Sequence, residues 1–152
     1  MKTHSEIRFA QPKDIEQIIA LCEAHAQYEQ AEYYKENKTE QLTKDLFSHD
    51  KKLYCLVVER NDRLIGYATY MKQYATWDAE EYIYMDCLFM DESARGLGLG
   101  EKLVHKIQEE GAKLGCNLIQ WQTPDFNTRA IKFYKRIGAN SKSKERFFLE
   151  IV

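Results

Sequence analysis

The sequence predicts an α/β protein built on one mixed sheet flanked by helices, and three observations carry that expectation. Residues 53–59 (LYCLVVE) and 63–72 (RLIGYATYMK) are apolar, β-branched and aromatic enough for two strands, and Asn61-Asp62 between them suits a tight hairpin turn. Residues 81–90 (EYIYMDCLFM) follow as the longest strand signal, so the three runs form a meander. A helix, a strand and a second helix then alternate, and a meander ending in a late βαβ unit is a mixed sheet rather than a simple alternating fold.

The remaining elements fall in order around that meander. Residues 5–9 form an opening strand, after which Pro12 occupies a first helical turn and Ile15, Ile18, Ile19 and Cys22 recur at helical spacing. A second helix starts at the cap Thr39 and carries Leu42, Leu46 and Phe47. After the meander, Leu103, Val104, Ile107 and Leu114 share one helix face, with Gly115 as its stop. Residues 117–122 (NLIQWQ) form a strand, Thr128–Ile137 a helix ending at Gly138, and residues 146–151 (RFFLEI) a last strand. The expected order is β-α-α-β-β-β-α-β-α-β within a single domain over residues 1–152.

Bulk properties narrow the function. A net charge of −2 gives no electrostatic case for nucleic acid or an anionic membrane. No run approaches the roughly 18 apolar residues of a membrane span, and the opening MKTHSEIRFA lacks the apolar centre of a secretion leader. Cys22, Cys55, Cys87 and Cys116 are scattered, as reduced, mostly buried thiols of a cytoplasmic protein are. His4, His25, His49 and His105 are equally dispersed, so no metal site is expected.

The stretch ARGLGLGEKL at 94–103 gathers three glycines where a helix begins. The first N–H groups of a helix have no internal partner, and bare backbone lets a pyrophosphate reach them. Arg95 stands beside the turn as a further cation. The phosphate-loop pattern Gly-x-x-x-x-Gly-Lys is absent, and glycines at 96, 98 and 100 do not match a dinucleotide fingerprint. A plain glycine turn that binds nothing is the simpler alternative.

Arg95-Gly96-Leu97-Gly98-Leu99-Gly100 resembles the Gln/Arg-x-x-Gly-x-Gly/Ala signature of GNAT N-acetyltransferases. Residues 127–139, containing FYKRIGA, resemble the family's later segment, in which an asparagine precedes a helix ending in an aromatic-tyrosine pair. The resemblance implies the acyl-CoA N-acyltransferase fold, with a mostly antiparallel twisted sheet, and acetyl-CoA as co-substrate. Within the family the chain is most similar to the diamine (spermidine/spermine and thialysine) acetyltransferases, through Tyr28-Glu29, Tyr84-Met85-Asp86 and FYKRIGA. It departs where that branch has Glu-Asp, carrying Asp86-Cys87 instead.

The resemblance then distributes roles. Arg95, Gly96, Leu97, Gly98, Leu99, Gly100 and Glu101 hold the pyrophosphate, and backbone groups of Leu88 and Met90 meet the pantetheine where their strand splays from the next. Tyr134 contacts the cofactor and protonates the departing thiolate; as a residue alone it reads first as core beside Phe133. Asn127 is a helix cap with a second role at the cofactor. Acetyl transfer needs a bare amine, and deprotonating one of pKa near 10.4 at pH 7 costs about 4–5 kcal/mol. Asp86 is the candidate base and Glu29 the second, with a cap or pair within the sheet as the alternative for Asp86. Cys87 raises a rival acetyl-cysteine route, but strand alternation puts 86 and 87 on opposite faces unless a bulge intervenes. Direct transfer in a ternary complex is the expectation, with Cys87 as filler.

Residues 76–86 (TWDAEEYIYMD) contain four carboxylates and no basic residue, and the family's topology brings Glu29 and Glu32 toward the same cleft. With Trp77, Tyr82 and Tyr84 they suit a cationic aliphatic amine, or else form a solvated charged hairpin. Glu29, Trp77, Tyr84 and Asp86 are the acceptor-binding candidates for a polyamine or lysine-like substrate. The alternatives are a protein N-terminus or lysine, a cationic antibiotic, a non-catalytic CoA-binding regulator, or a nucleotide-binding module. A homodimer is expected from the family, with no nucleic-acid or membrane partner.

Overall fold

Turn chemistry produces the meander where the sequence places it. The computed structural model describes residues 4–152; the first three, part of the stretch read above for a leader, lie outside it. Strands β2 (Tyr54–Arg60) and β3 (Arg63–Ala75) pair antiparallel across Asn61 and Asp62, whose φ values are +53° and +63°. Two left-handed residues in a two-residue loop match the twist of the flanking strands. Strand β4 (Glu80–Met90) pairs antiparallel with β3, and β1 (Ser5–Phe9) with the far edge of β2. Strand β5 (Ile119–Gln120) joins β4 in parallel, completing the order β1-β2-β3-β4-β5. The sheet is therefore mixed and mostly antiparallel, as expected.

The chain up to Gln122 is one compact unit, with an apolar layer on each face of the sheet. Helix α3 (Leu99–Lys113) covers one face, packing Leu103 and Ile107 against Leu56, Val58, Ile83 and Met85. It approaches closely: a Cβ on Gly111 would stand 2.9 Å from Ile83 Cγ1. Helices α1 (Ile15–Tyr28) and α2 (Lys38–Phe47) cover the other face, with Ile18, Ile19 and Leu46 against Val57, Tyr67 and Phe89. Arg8 ties β1 to this layer, reaching buried Asp14 at 2.7 Å and Glu59 at 2.9 Å. Helix α2 begins at Lys38 behind Asn37, whose φ is +62°, rather than at a Thr39 cap.

Residues 123–152 form a second unit around α4 (Thr128–Arg136). Asn127 caps it, its side chain accepting from Ala130 N at 3.3 Å, and Gly138 follows with φ +99°. Two expectations fail here. Phe133, read as core, is only half-buried, and no residue of α4 is fully buried. The strand expected at 146–151 does not form: Phe147, Phe148, Leu149 and Ile151 are 89%, 78%, 95% and 101% exposed. A strand exists through its ladder bonds, and within one chain this segment joins no sheet. The strand expected at 117–122 shrinks to the two residues that β4 pairs.

Candidate active site

The glycine segment lies between β4 and α3. Gly96 and Gly98 have φ values of +82° and +74°, a conformation disfavoured for any residue with a Cβ. A Cβ at either would meet nothing within 4 Å, so the loop presents open backbone. Gly98 is the N-cap of α3 and supplies no side-chain cap, which leaves the helix's first amides for an external anion. Leu97 is exposed, Leu99 is buried into the α3 core, and Gly100 and Glu101 lie in the first turn. Arg95 Nε donates to Met90 O at 3.1 Å, and its guanidinium stacks over Tyr28 at 4.6 Å and Phe89 at 5.7 Å. Arg95 thus fastens the loop to β4 and to the end of α1.

A bulge interrupts β4 at the candidate base. Met85 pairs with Tyr70 and Cys87 with Thr69, leaving Asp86 as the extra residue between them. The bulge reverses the strand's alternation. Ile83 and Met85 belong to the α3-side core, and after the bulge Leu88 and Met90 pack there instead. Cys87 and Phe89 turn to the α1 side. Asp86 is exposed, and Cys87 Sγ lies 3.7 Å from its Oδ2. Burial pushes the Cys87 thiol up to about 12, so at neutral pH it carries its proton and is a poor nucleophile.

Beyond Tyr84, β4 loses its second neighbour. Strand β5 pairs only at Ile83 and Tyr84, so residues 85–90 have no strand on that edge. That edge therefore carries no strand at Leu88 and Met90, and the Met90 carbonyl accepts from Arg95 Nε at 3.1 Å.

Glu29 belongs to a network the sequence did not reveal. His25 Nε2 lies 2.7 Å from Glu29 Oε2, and His25 Nδ1 lies 2.8 Å from the Tyr67 hydroxyl. A carboxylate only accepts, so in neutral imidazole Nε2–H donates to Glu29 and Nδ1 accepts from Tyr67 O–H. His25 also stacks on Phe89 at 5.0 Å, between Glu29 and the fully buried Tyr67. Burial holds the Tyr67 hydroxyl far above its ordinary range, keeping it a proton donor. The i,i+4 spacing of His25 and Glu29 was visible as a helical pair, whereas nothing local linked either to Tyr67.

The acceptor candidates are dispersed. Trp77 is fully exposed at the β3–β4 turn, and the Tyr84 hydroxyl accepts from Gln122 Nε2 at 3.1 Å. Glu81 faces Lys72 across the strands at 3.7 Å, which neutralises part of the acidic stretch. A hollow of about 350 Å³ at the end of α1 is lined by Glu23, Gln27, Ala31, Glu32, Tyr33 and Tyr34. Lys35 pairs with Glu23 there at 3.1 Å, and Tyr34 donates to Glu32. In the second unit, half-buried Tyr134 lies 5.3 Å from the Phe133 ring, and Asn127 is buried with its Nδ2 3.4 Å from Thr123 Oγ1. Among the described residues no group of three His, Cys, Asp or Glu could hold a metal, and no helix is long and apolar enough to cross a membrane.

An open helix N-terminus follows the unpaired edge of β4 in this mixed sheet. Residues 16–139 match the family model described as Acetyltransferase (GNAT) family, and the chain belongs to that family. It is an acetyl-CoA-dependent N-acetyltransferase. It is 30% identical over 141 residues to a thialysine N-epsilon-acetyltransferase of Bos taurus, covering 88% of this chain and 82% of that protein. A Homo sapiens spermidine/spermine N(1)-acetyltransferase-like protein 1 is 25% identical over 92% of this chain and 21% of its own length. Among solved structures, an integron cassette protein from the V. cholerae mobile metagenome superposes with a TM-score of 0.79 at 25% identity, covering 96% of this chain and 92% of that one. An aminoglycoside N-acetyltransferase solved in complex with CoA has the same fold, with a TM-score of 0.83 at 18% identity, over 99% of this chain and 97% of its own.

Proposed function

We propose that the protein moves the acetyl group of acetyl-CoA to a primary amine of a small cationic acceptor, a polyamine or a lysine-like amino acid, by direct transfer in a ternary complex. The observation that carries this reading is the open backbone at Gly96 and Gly98, set at the N-terminus of α3 after a strand whose edge is unpaired from residue 85 onward. Acetyl-CoA fits that place: side-chain-free amides receive the pyrophosphate, and the bare edge at Leu88 meets the pantetheine. The amides of residues 96–101 bind, and Arg95 holds their loop in place.

Asp86 takes the proton of the acceptor ammonium, directly or through one water, from the exposed turn of its bulge. Glu29, oriented by His25, contributes negative charge for a cationic acceptor, with Tyr84 and Trp77 as apolar and cation–π surface. Tyr134 returns a proton to the departing thiolate, and Asn127 orders the first turn of its helix while contacting the cofactor. Cys87 stays a spectator, because its raised thiol favours the neutral form. The thialysine relative supports the lysine-like acceptor, and aminoglycoside acetylation remains a property of the structural neighbours. The enzyme acts in the cytoplasm as a single domain over residues 1–152 and assembles as a homodimer, which the exposed apolar side chains at 147–151 support.

The test is release of free CoA from acetyl-CoA in the presence of spermidine, putrescine, lysine, thialysine, cationic antibiotics and short peptides. A small diamine or lysine analogue is expected to lead, and Tyr134→Phe is expected to lower kcat at least about 100-fold. Tight acetyl-CoA binding with turnover only on peptides would transfer the activity to protein acceptors.

A further inference from the structure

We propose that Tyr67 and His25 are positioning residues for the acceptor: the Tyr67 hydroxyl fixes His25 as its Nε2–H tautomer, and His25 in turn holds the Glu29 carboxylate ready for the substrate ammonium. The inference rests on the reading of Glu29 as an acceptor contact given above. It adds two residues that neither the glycine loop nor the Asp86 bulge contains. Its first support is the accounting of protons around the imidazole. His25 Nε2 meets Glu29 Oε2 at 2.7 Å, and a carboxylate has no proton to give, so the proton of that bond is on Nε2. Nδ1, at 2.8 Å from the Tyr67 hydroxyl, is left to accept. Tyr67 agrees from its own side. Its oxygen is also hydrogen-bonded with the thiols of Cys22 and Cys87, which burial raises, so both keep their protons. A thiol sulfur accepts weakly, and the imidazole nitrogen takes the Tyr67 proton in preference. Tyr67 is 1% exposed, which keeps this choice among protein groups.

The second support is where the network ends. The imidazole is held in its plane by Phe89, stacked at 5.0 Å with the rings 19° apart, and by the edge-on Tyr67 ring at 5.8 Å. Its Nε2–H therefore points one way, toward the C-cap of α1, which is Glu29. The Glu29 side chain is 31% exposed, against 13% for His25, so the line runs from the core to a carboxylate that a ligand can reach. The negative pole of α1 lies at the same end and favours a cation there. A free glutamate samples several rotamers, and an acceptor has to freeze one of them on binding. With Oε2 already committed to His25, that ordering precedes the acceptor, and Oε1 takes the ammonium.

The experiment uses the full chain, labelled with nitrogen-15 at histidine. Its NMR spectrum is expected to show His25 as the Nε2–H tautomer, the signal being identified by its loss in His25→Gln. Glu29→Gln is the sharper case, because an amide at position 29 can donate or accept and leaves Tyr67 alone to choose. The Nε2–H form is expected to persist there, and an Nδ1–H or mixed signal in either protein would overturn the role of Tyr67. Kinetics with thialysine and spermidine test the consequence. Tyr67→Phe, which keeps the ring and its packing, is expected to raise KM for the amine about 10-fold. Its kcat and its KM for acetyl-CoA should change less than about 3-fold, an expectation that also checks folding. His25→Ala should raise the amine KM at least as much. His25→Gln, whose amide donates to Glu29 and accepts from Tyr67, should recover most of it. A fall in kcat with the amine KM unchanged, or no rescue by Gln, would overturn positioning. An unchanged amine KM in Glu29→Gln would instead overturn Glu29 as an acceptor contact, and absence of turnover on both amines in the wild type would overturn the proposed substrate class. The tautomer signals keep those two failures distinct from failure of the Tyr67–His25 link.

Discussion

The unit up to Gln122 and the unit from Thr123 onward are built by different means. In the first, Leu56, Val57, Val58, Leu103 and Ile107 are wholly removed from solvent, and each face of the sheet has its own apolar layer. In the second, Asn127 is the one buried residue among those described, and α4 is held by local devices. These are the Asn127 cap, the basic residues Lys135 and Arg136 in the last turn, and Arg136 over the Phe133 ring at 5.5 Å. The contrast teaches that the region carrying the candidate acid Tyr134 has the right helix but little core of its own.

The contrast is broken or sharpened by substitution. Leu103→Ala is expected to cost about 4 kcal/mol in urea unfolding, and Ile131→Ala in α4 about 1 kcal/mol or less. Equal costs would show that the second unit is as deeply packed as the first. Asp14→Asn should cost about 3 kcal/mol, because Arg8 is left with a weakened partner in the buried layer. Its pH dependence is specific. The hydrogen bonds from Arg8 hold the Asp14 carboxyl below its ordinary 3.8, so its contribution is complete above that value and disappears as pH falls through the lower folded value. Wild-type stability should therefore fall more steeply with acid below about pH 4 than that of Asp14→Asn, as thermal melts along a pH series would record.

Smaller effects sharpen the chemistry within the first unit. Gly98→Ala forces a Cβ into φ +74°, which costs about 1 kcal/mol and should weaken acetyl-CoA binding roughly 10-fold in calorimetry. Cys87→Ser should change kcat less than about 2-fold, whereas an acetyl-cysteine route would lose nearly all turnover.

Several features were legible from residues alone because their causes are local. Asn61-Asp62 announced a hairpin turn, the glycines at 96 and 98 announced bare backbone before a helix, and Asn127 announced a cap. The family resemblance was legible for the same reason, since its motifs are those local signals. The bulge at Asp86 was not, because alternation along one strand cannot show how its neighbour is registered. Nor was the link from Glu29 through His25 to Tyr67, whose partners are 42 residues apart in the chain.

By itself the sequence determined the order of elements up to α4, the core faces of α1 and α3, and the place where bare backbone precedes a helix. Each of these depends on a few neighbouring residues and their allowed dihedrals. Tertiary structure decided which face of β4 each side chain occupies, where β5 parts from it, and that residues 146–151 remain unpaired within one chain. Those outcomes depend on pairing between distant backbones, and a strand signal states only readiness to pair, not whether a partner is there.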